Sequence, residues 1–220
     1  NIRWMSDASK KSKFYYWIAE RIAAYLPPSA RVFNAGGGLG DLAIWLSYHV
    51  EQVTVIENDP KAVAAFRARC PHNVVAILGD LDSYSPDKLY DALVLYDVGG
   101  AERALPVVRE LSRAKTFLLV SRESAQGEAD LRALTEMFKS AGVPFTFEPF
   151  EQEHVQPFRS REDAKSYFLF STNRMLTDEE LDALLQQSDD EAFPFSFVEN
   201  KKIGMLVFDA ANPALKKLLF

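Results

Sequence analysis

Residues 32–41 read Val-Phe-Asn-Ala-Gly-Gly-Gly-Leu-Gly-Asp and join an apolar strand to an apolar helix. Gly36, Gly38 and Gly40 let the backbone turn tightly and approach a ligand with no Cβ in the way. The helix that follows presents unpaired N–H groups to whatever occupies the turn. Such a loop binds a nucleotide-like cofactor, and its spacing narrows the choice. A dinucleotide fingerprint needs Gly or Ala at position 41 after Gly36 and Gly38. Asp41 stands there instead. A phosphate-gripping loop needs Gly-Lys-Ser/Thr, which is absent. A carboxylate at the mouth suits a ligand that is not polyanionic.

The flanking pattern sets the fold. Apolar runs predict strands over 31–35, 52–57, 73–78, 90–96 and 115–121, with helices over 41–49, 60–69, 102–112 and 127–141 between them. Before these, Phe14, Trp17, Ile18, Ile22, Tyr25 and Leu26 form a helical stripe over 11–26 that Pro27-Pro28 stops. Strands alternating with helices imply an α/β, Rossmann-like doubly wound sheet with helices on both faces. After Pro144 the pattern changes. A sixth strand is expected over 145–155, then two helices, one opened by Ser160 with Asp163 in the capping-box place, one by Thr177 with Glu180. Residues 193–198 and 202–209 read as two strands joined by Glu199-Asn200-Lys201, a hairpin end. The expectation is a single domain with a mostly parallel, seven-stranded sheet. Residues 1–28 form an N-terminal helical lid, 29–156 and 202–220 the core, and 157–201 a small helical cap inserted before the last strand.

Acids end the strands in a telling order. Glu57 closes the second strand about 20 residues beyond the glycine loop, where an acid accepts hydrogen bonds from a ribose diol. Gly79-Asp80-Leu81 closes the third, and Tyr96-Asp97 the fourth. From about Arg31 to Val120, this order resembles the class I S-adenosylmethionine-dependent methyltransferases, with weaker agreement to the C-terminus. The resemblance implies that the loop of Gly36, Gly38 and Gly40 carries the methionyl part of S-adenosylmethionine. It implies that Glu57, with Asn58 beside it, holds the ribose, that Asp80 contacts the adenine amino group, and that Leu81 offers its backbone N–H. Asp97 then stands beside the methyl group. One position departs: the family usually has Asp or Glu where this chain has Asn34. Asn keeps an acceptor but loses the charge, and charge-assisted hydrogen bonds are roughly twice as strong as neutral ones. The Gly-Gly-Gly-x-Gly form with no acid before it also resembles aminopropyltransferases, which use decarboxylated S-adenosylmethionine. A non-catalytic S-adenosylmethionine-binding protein is the other alternative.

Methyl transfer asks mostly for alignment, which contributes up to ~7–11 kcal/mol in favourable intramolecular models. A general base adds only ~10²–10⁴-fold. The catalytic candidates are Asp97, whose structural alternative is to cap the Gly99-Gly100 turn, and His154, at the charged end of the sixth strand. Tyr96 either lines the cofactor site or belongs to the core. His49 and His72 read as structural, and no His, Cys or carboxylate spacing suggests a metal site. Cys70 precedes Pro71 rather than lying in an active-site loop, which excludes cytosine C5 chemistry. The Asn/Asp-Pro-Pro-Tyr/Phe box of exocyclic amino methylators is missing, as is the Asp-Asn pair of magnesium-dependent catechol-type enzymes. What remains is a small-molecule methyl acceptor, the expectation here, or a protein or RNA acceptor of unfamiliar type. The acceptor pocket is expected between the N-terminal aromatics Trp4, Tyr15, Tyr16 and Trp17 and the insertion's Phe158, Tyr167 and Phe168. A net charge of -6 argues against nucleic acid, and Lys10, Lys11 and Lys13 read as a solvated helix face. No apolar run approaches the ~20 residues that span a bilayer. With one cysteine and no visible signal peptide, a cytoplasmic location is expected.

Overall fold

The computed structural model describes residues 2–85, 90–97, 101–111 and 115–219. Five apolar runs form strands: β1 (Arg31–Ala35), β2 (Gln52–Glu57), β3 (Val74–Leu78), β4 (Ala92–Tyr96) and β5 (Lys115–Ser121). Val53, Val55 and Ile56 of β2 and Leu93, Val94 and Leu95 of β4 are buried, as strands covered on both faces require. Between the strands run α3 (Asp41–Leu46), α4 (Pro60–Arg67) and α5 (Ala101–Leu111), and α6 (Ala125–Ala141) follows β5. All four pairings among these strands are parallel, with Val32 opposite both Val53 and Ala92.

Three more strands, β6 (Phe145–Phe158), β7 (Leu185–Gln187) and β8 (Phe195–Asp209), complete the sheet. Its order is β3-β2-β1-β4-β5-β8-β6, and the short β7 pairs with β8 off that path. β8 runs antiparallel to β5, with Leu118 opposite Leu206. The expected mostly parallel path of seven strands is present, and β7 adds an eighth. Chain order reverses between β1 and β4. The carboxyl ends there open the crevice in which such sheets bind ligands.

Several expectations are corrected. The helix read over 11–26 is shorter, α2 (Phe14–Ala23), and a separate helix not read from the sequence, α1 (Ile2–Lys11), precedes it. Ser12 interrupts them, its Oγ accepting the Phe14 and Val155 N–H groups, each at 3.2 Å. Glu199-Asn200-Lys201 form no hairpin end; they continue β8. A tight hairpin needs residues at positive φ, and among the described non-glycine residues only Asp97 and Asn173 have one. The chain divides into two compact units, Tyr15–Glu151 with Lys201–Phe220 and Asn1–Phe14 with Gln152–Asn200. Residues 15–23 of α2 fall in the larger unit, and residues 152–158 of β6 in the smaller.

The larger unit's core joins Phe33, Leu93 and Leu118 to Leu134 and Phe138 of α6 and Leu215 of α9 (Pro213–Leu219). In the smaller unit, α7 (Arg161–Thr172) and α8 (Asp178–Leu184) carry the caps their sequences announce. Ser160 Oγ accepts the Asp163 N–H at 3.1 Å, and Thr177 with Glu180 makes a complete capping box. Trp4 meets Tyr167 edge-on at 5.5 Å, and Tyr167 lies 5.3 Å from Phe158. Phe158 is 0% exposed, and Trp4 and Phe168 are 6% exposed. These rings fill this unit's interior by packing on one another, which corrects their reading as walls of an open pocket. In the larger unit, Tyr16 packs against Trp17 and Trp45. No helix among the described residues is long and apolar enough to cross a membrane.

Asp163 ties the smaller unit together. Its Oδ1 accepts the Trp4 Nε1–H at 2.8 Å, and its Oδ2 accepts an Arg3 Nη1–H at 3.1 Å and the Arg159 backbone N–H at 3.2 Å. Burial by itself pushes this carboxyl up, but the donors from Arg3, Trp4 and Arg159 outweigh it and hold Asp163 below the usual carboxylate range. A depressed folded value contributes stability above the unfolded pKa of about 3.9, and that stability is lost as pH falls through the folded value. Asp163→Asn is expected to cost about 1.5–3 kcal/mol in this unit at neutral pH and to weaken its acid sensitivity. Hydrogen exchange in α1 and α7, followed against pH, measures both.

Candidate active site

Gly36, Gly38 and Gly40, the three loop glycines singled out from spacing, have φ of 69°, 52° and 77°. Their left-handed backbone carries the chain from β1 into α3. Gly37 is needed for space: a Cβ there would stand 2.0 Å from Val55 Cγ1. The loop amides turn toward β2. Gly37 N–H donates to Ile56 O at 3.3 Å, Gly38 N–H to Glu57 Oε2 at 2.8 Å, and Gly40 N–H to Gly37 O at 2.7 Å. N–H groups of the kind that cradle phosphate are thus committed within the protein. Asp41 also differs from its reading as a bare carboxylate at the mouth, since its Oδ1 accepts an Arg69 Nη1–H at 2.7 Å. The case against a polyanionic ligand therefore rests on the committed amides rather than on the charge of Asp41.

Glu57 is the most heavily bonded acid of the site. Besides Gly38, its carboxylate accepts the Asn58 and Asp59 N–H groups at Oε1, each at 2.9 Å. Asp80 opens a single 3-10 turn, Leu81–Ser83, and its Oδ1 accepts the Asp82 N–H at 3.0 Å. Asp97 has a φ of 48°, and its Oδ1 accepts the Ser121 N–H at 2.9 Å. Asp tolerates this left-handed conformation better than most side chains. Asp97 is thereby fixed to the end of β5; the Gly99-Gly100 turn it was also read to cap lies outside the described residues. Asn34 is 2% exposed and acts as a donor, its Nδ2 lying 3.3 Å from Val94 O and 3.4 Å from Ala35 O. That supplies a reason for Asn here: an ionised Asp would face those carbonyl oxygens with no proton to give.

A cavity of about 200 Å³ opens at these strand ends. Its lining unites Gly36, Glu57, Asn58, Asp80, Leu81 and Asp97, and includes Tyr96. Arg103, near the start of α5, also lines it and was absent from the sequence reading. The one available signal was a cation early in a helix, where the dipole favours acids. Gly38, Gly40 and Asn34 are not among its lining residues. His154 belongs to the smaller unit. There its ring meets Phe14 edge-on at 5.6 Å, and its buried Nδ1 lies 3.6 Å from Glu199 Oε1, too far for a hydrogen bond.

Tyr96 and Tyr15 stand edge-on with centroids 6.0 Å apart. Burial pushes both hydroxyls up, helped at Tyr15 by the Asp41 and Asp97 carboxylates and at Tyr96 by Tyr15, Asp97 and Glu123. A raised folded value contributes stability below the ordinary tyrosine pKa of about 10, lost as pH rises from there through the folded value. Tyrosinate absorbance is expected to show both rings still protonated above about pH 11, until alkaline unfolding releases them. Tyr15→Phe and Tyr96→Phe should each move that unfolding to higher pH.

The fold has counterparts among solved structures. A methyltransferase from Thiobacillus denitrificans, S-adenosylmethionine-dependent and in complex with S-adenosyl-L-homocysteine, matches with TM-score 0.51 and 14% identity, over 90% of this chain and 91% of that one. Precorrin-6y C5,15-methyltransferase from Geobacter metallireducens matches with TM-score 0.55 and 12% identity, over 88% and 87%. The chain has the Rossmann-like methyltransferase fold. Magnesium protoporphyrin IX methyltransferase from Synechocystis, with bound S-adenosylmethionine, shares that fold with TM-score 0.52 and 14% identity, over 89% of this chain and 79% of that one. No protein-family model matches the sequence, and no curated protein matches it.

Proposed function

We propose that the protein is an S-adenosylmethionine-dependent methyltransferase acting on a small-molecule acceptor. The observation that carries this reading is the convergence of Glu57, Asp80 and Asp97, from the ends of β2, β3 and β4, on one cavity beside Gly36. The residues suit the cofactor. Glu57 and Asp80 offer acceptor oxygens to ribose hydroxyls and to an adenine amino group, Leu81 offers a backbone N–H, and Gly36 leaves backbone open to the methionyl part. When bound, S-adenosylmethionine supplies a methyl group on a sulfonium, a leaving group that needs no acid. The protein's work is then orientation. Asp97 Oδ1 is tied to Ser121, while Oδ2 makes no hydrogen bond among the described residues; in this reading it orients an acceptor or takes its proton.

Two structural neighbours are named for precorrin-6y and magnesium protoporphyrin IX, which supports a small-molecule acceptor. The net charge of -6 suits a nucleic-acid backbone poorly. Calorimetry with S-adenosylmethionine, S-adenosylhomocysteine and NAD tests the cofactor, and S-adenosylhomocysteine release across a panel of acceptors tests turnover. Failure to bind either sulfur nucleoside, or preference for NAD, overturns the reading. His154→Ala is expected to leave S-adenosylhomocysteine affinity unchanged, because the imidazole contacts Phe14 and Glu199 within the smaller unit.

A further inference from the structure

Each carboxylate lining the cavity is held by backbone N–H groups: Glu57 by three, Asp80 by that of Asp82, Asp97 by that of Ser121. Arg103 differs. Its exposed guanidinium lines the same cavity, yet forms no hydrogen bond or ion pair among the described residues. It also stands in the first turn of α5, where the helix dipole disfavours a cation. Among the described residues, no hydrogen bond or ion pair accounts for an arginine here. What its planar, five-donor fork matches is a carboxylate, held in a two-bonded pair.

We propose that Arg103 receives the α-carboxylate of the cofactor and thereby selects S-adenosylmethionine over its decarboxylated form. This rests on the methyltransferase reading above. The two ligands share the adenosine, the sulfonium and an ammonium group, so Glu57, Asp80 and Asp97 attract both. An acid-lined cavity lacking Arg103 would favour the decarboxylated ligand, whose net positive charge is greater. Arg103 reverses that order, because only the carboxylated ligand brings an anion to it. The decarboxylated ligand leaves the guanidinium unpaired beside its own cationic groups. Selection of this kind excludes aminopropyl donors by charge rather than by shape.

The test is calorimetry on the full chain, comparing the parent with Arg103→Gln and Arg103→Lys. The probes are S-adenosylhomocysteine, decarboxylated S-adenosylmethionine and 5′-methylthioadenosine, which keeps the adenosine and sulfur but has no carboxylate or amine. Arg103→Gln is expected to weaken S-adenosylhomocysteine about tenfold or more, to leave 5′-methylthioadenosine within about twofold, and to tighten the decarboxylated ligand, as loss of a charge-assisted carboxylate bond implies. Arg103→Lys should restore part of the S-adenosylhomocysteine affinity, since it keeps the charge without the fork. Unchanged S-adenosylhomocysteine affinity in Arg103→Gln overturns the inference. So does an equal loss for 5′-methylthioadenosine, which would place Arg103 at the adenosine. A parent that binds none of the three overturns the methyltransferase reading itself. That result is visibly different from a parent that binds and a variant that behaves the same.

Discussion

Glu57→Ala is expected to lower the affinity for S-adenosylhomocysteine at least tenfold. A carboxylate-accepted hydrogen bond contributes roughly 1.5–3 kcal/mol, and about 1.4 kcal/mol is a factor of ten, so losing one ribose bond suffices. The structure adds a second cost. The same side chain accepts the N–H groups of Gly38, Asn58 and Asp59, so alanine also leaves the glycine loop without its tie to β2. Glu57→Gln separates the two contributions. It keeps one acceptor oxygen for the Asn58 and Asp59 amides, but sets an amide donor against the Gly38 N–H. Affinity by calorimetry and melting temperature should both fall in Glu57→Ala. If S-adenosylhomocysteine binds that variant as tightly as the parent, the ribose assignment is wrong.

The largest effect on stability is expected from Gly40→Ala. A Cβ there would stand 2.2–2.4 Å from three atoms of the Phe66 ring, and the backbone φ is +77°. Phe66 is 0% exposed, so it has nowhere to retreat. Left-handed backbone costs alanine about 1–2 kcal/mol, and overpacking about 1–3 kcal/mol. Their sum, roughly 2–5 kcal/mol, is a large share of the 5–15 kcal/mol that typically holds a domain folded. The melting temperature should fall by roughly 4–20 °C at this chain length. Gly142→Ala serves as the control. It shares the left-handed φ, at +69°, but has nothing within 4 Å of its Cβ. A Gly40→Ala melting temperature no lower than that of Gly142→Ala would show that Phe66 yields.

What the sequence made legible was what depends on near neighbours. The apolar runs place β1, β2 and β5 at their observed limits and β3 and β4 within two residues. The glycine spacing marks the loop's left-handed positions. The order of Glu57, Asp80 and Asp97 anticipates their meeting, because a parallel sheet aligns the ends of consecutive strands by construction. Contacts between distant segments were not legible. Nothing near Asp41 announces Arg69 as its partner, and nothing near Asn34 announces that Val94 O would need a donor. Polar Glu199-Asn200-Lys201 imitates a turn, because composition cannot show that no residue there leaves extended backbone. The clustered aromatics likewise say that rings will gather, without saying whether they surround a ligand or one another.

The chain passes between its two units at Phe14–Tyr15, Glu151–Gln152 and Asn200–Lys201, within α2, β6 and β8. Each crossing is hydrogen-bonded backbone, so the boundary contains no linker. Proteases cut where backbone is exposed and irregular, and limited digestion should therefore release neither unit intact. The same feature bears on how the molecule can be remodelled. The smaller unit is no cassette, since excising 157–201 severs β8 partway along and deletes the tip of β6. New specificity in such a protein has to be written residue by residue into strands that both units share, and exchange of whole modules is closed to it.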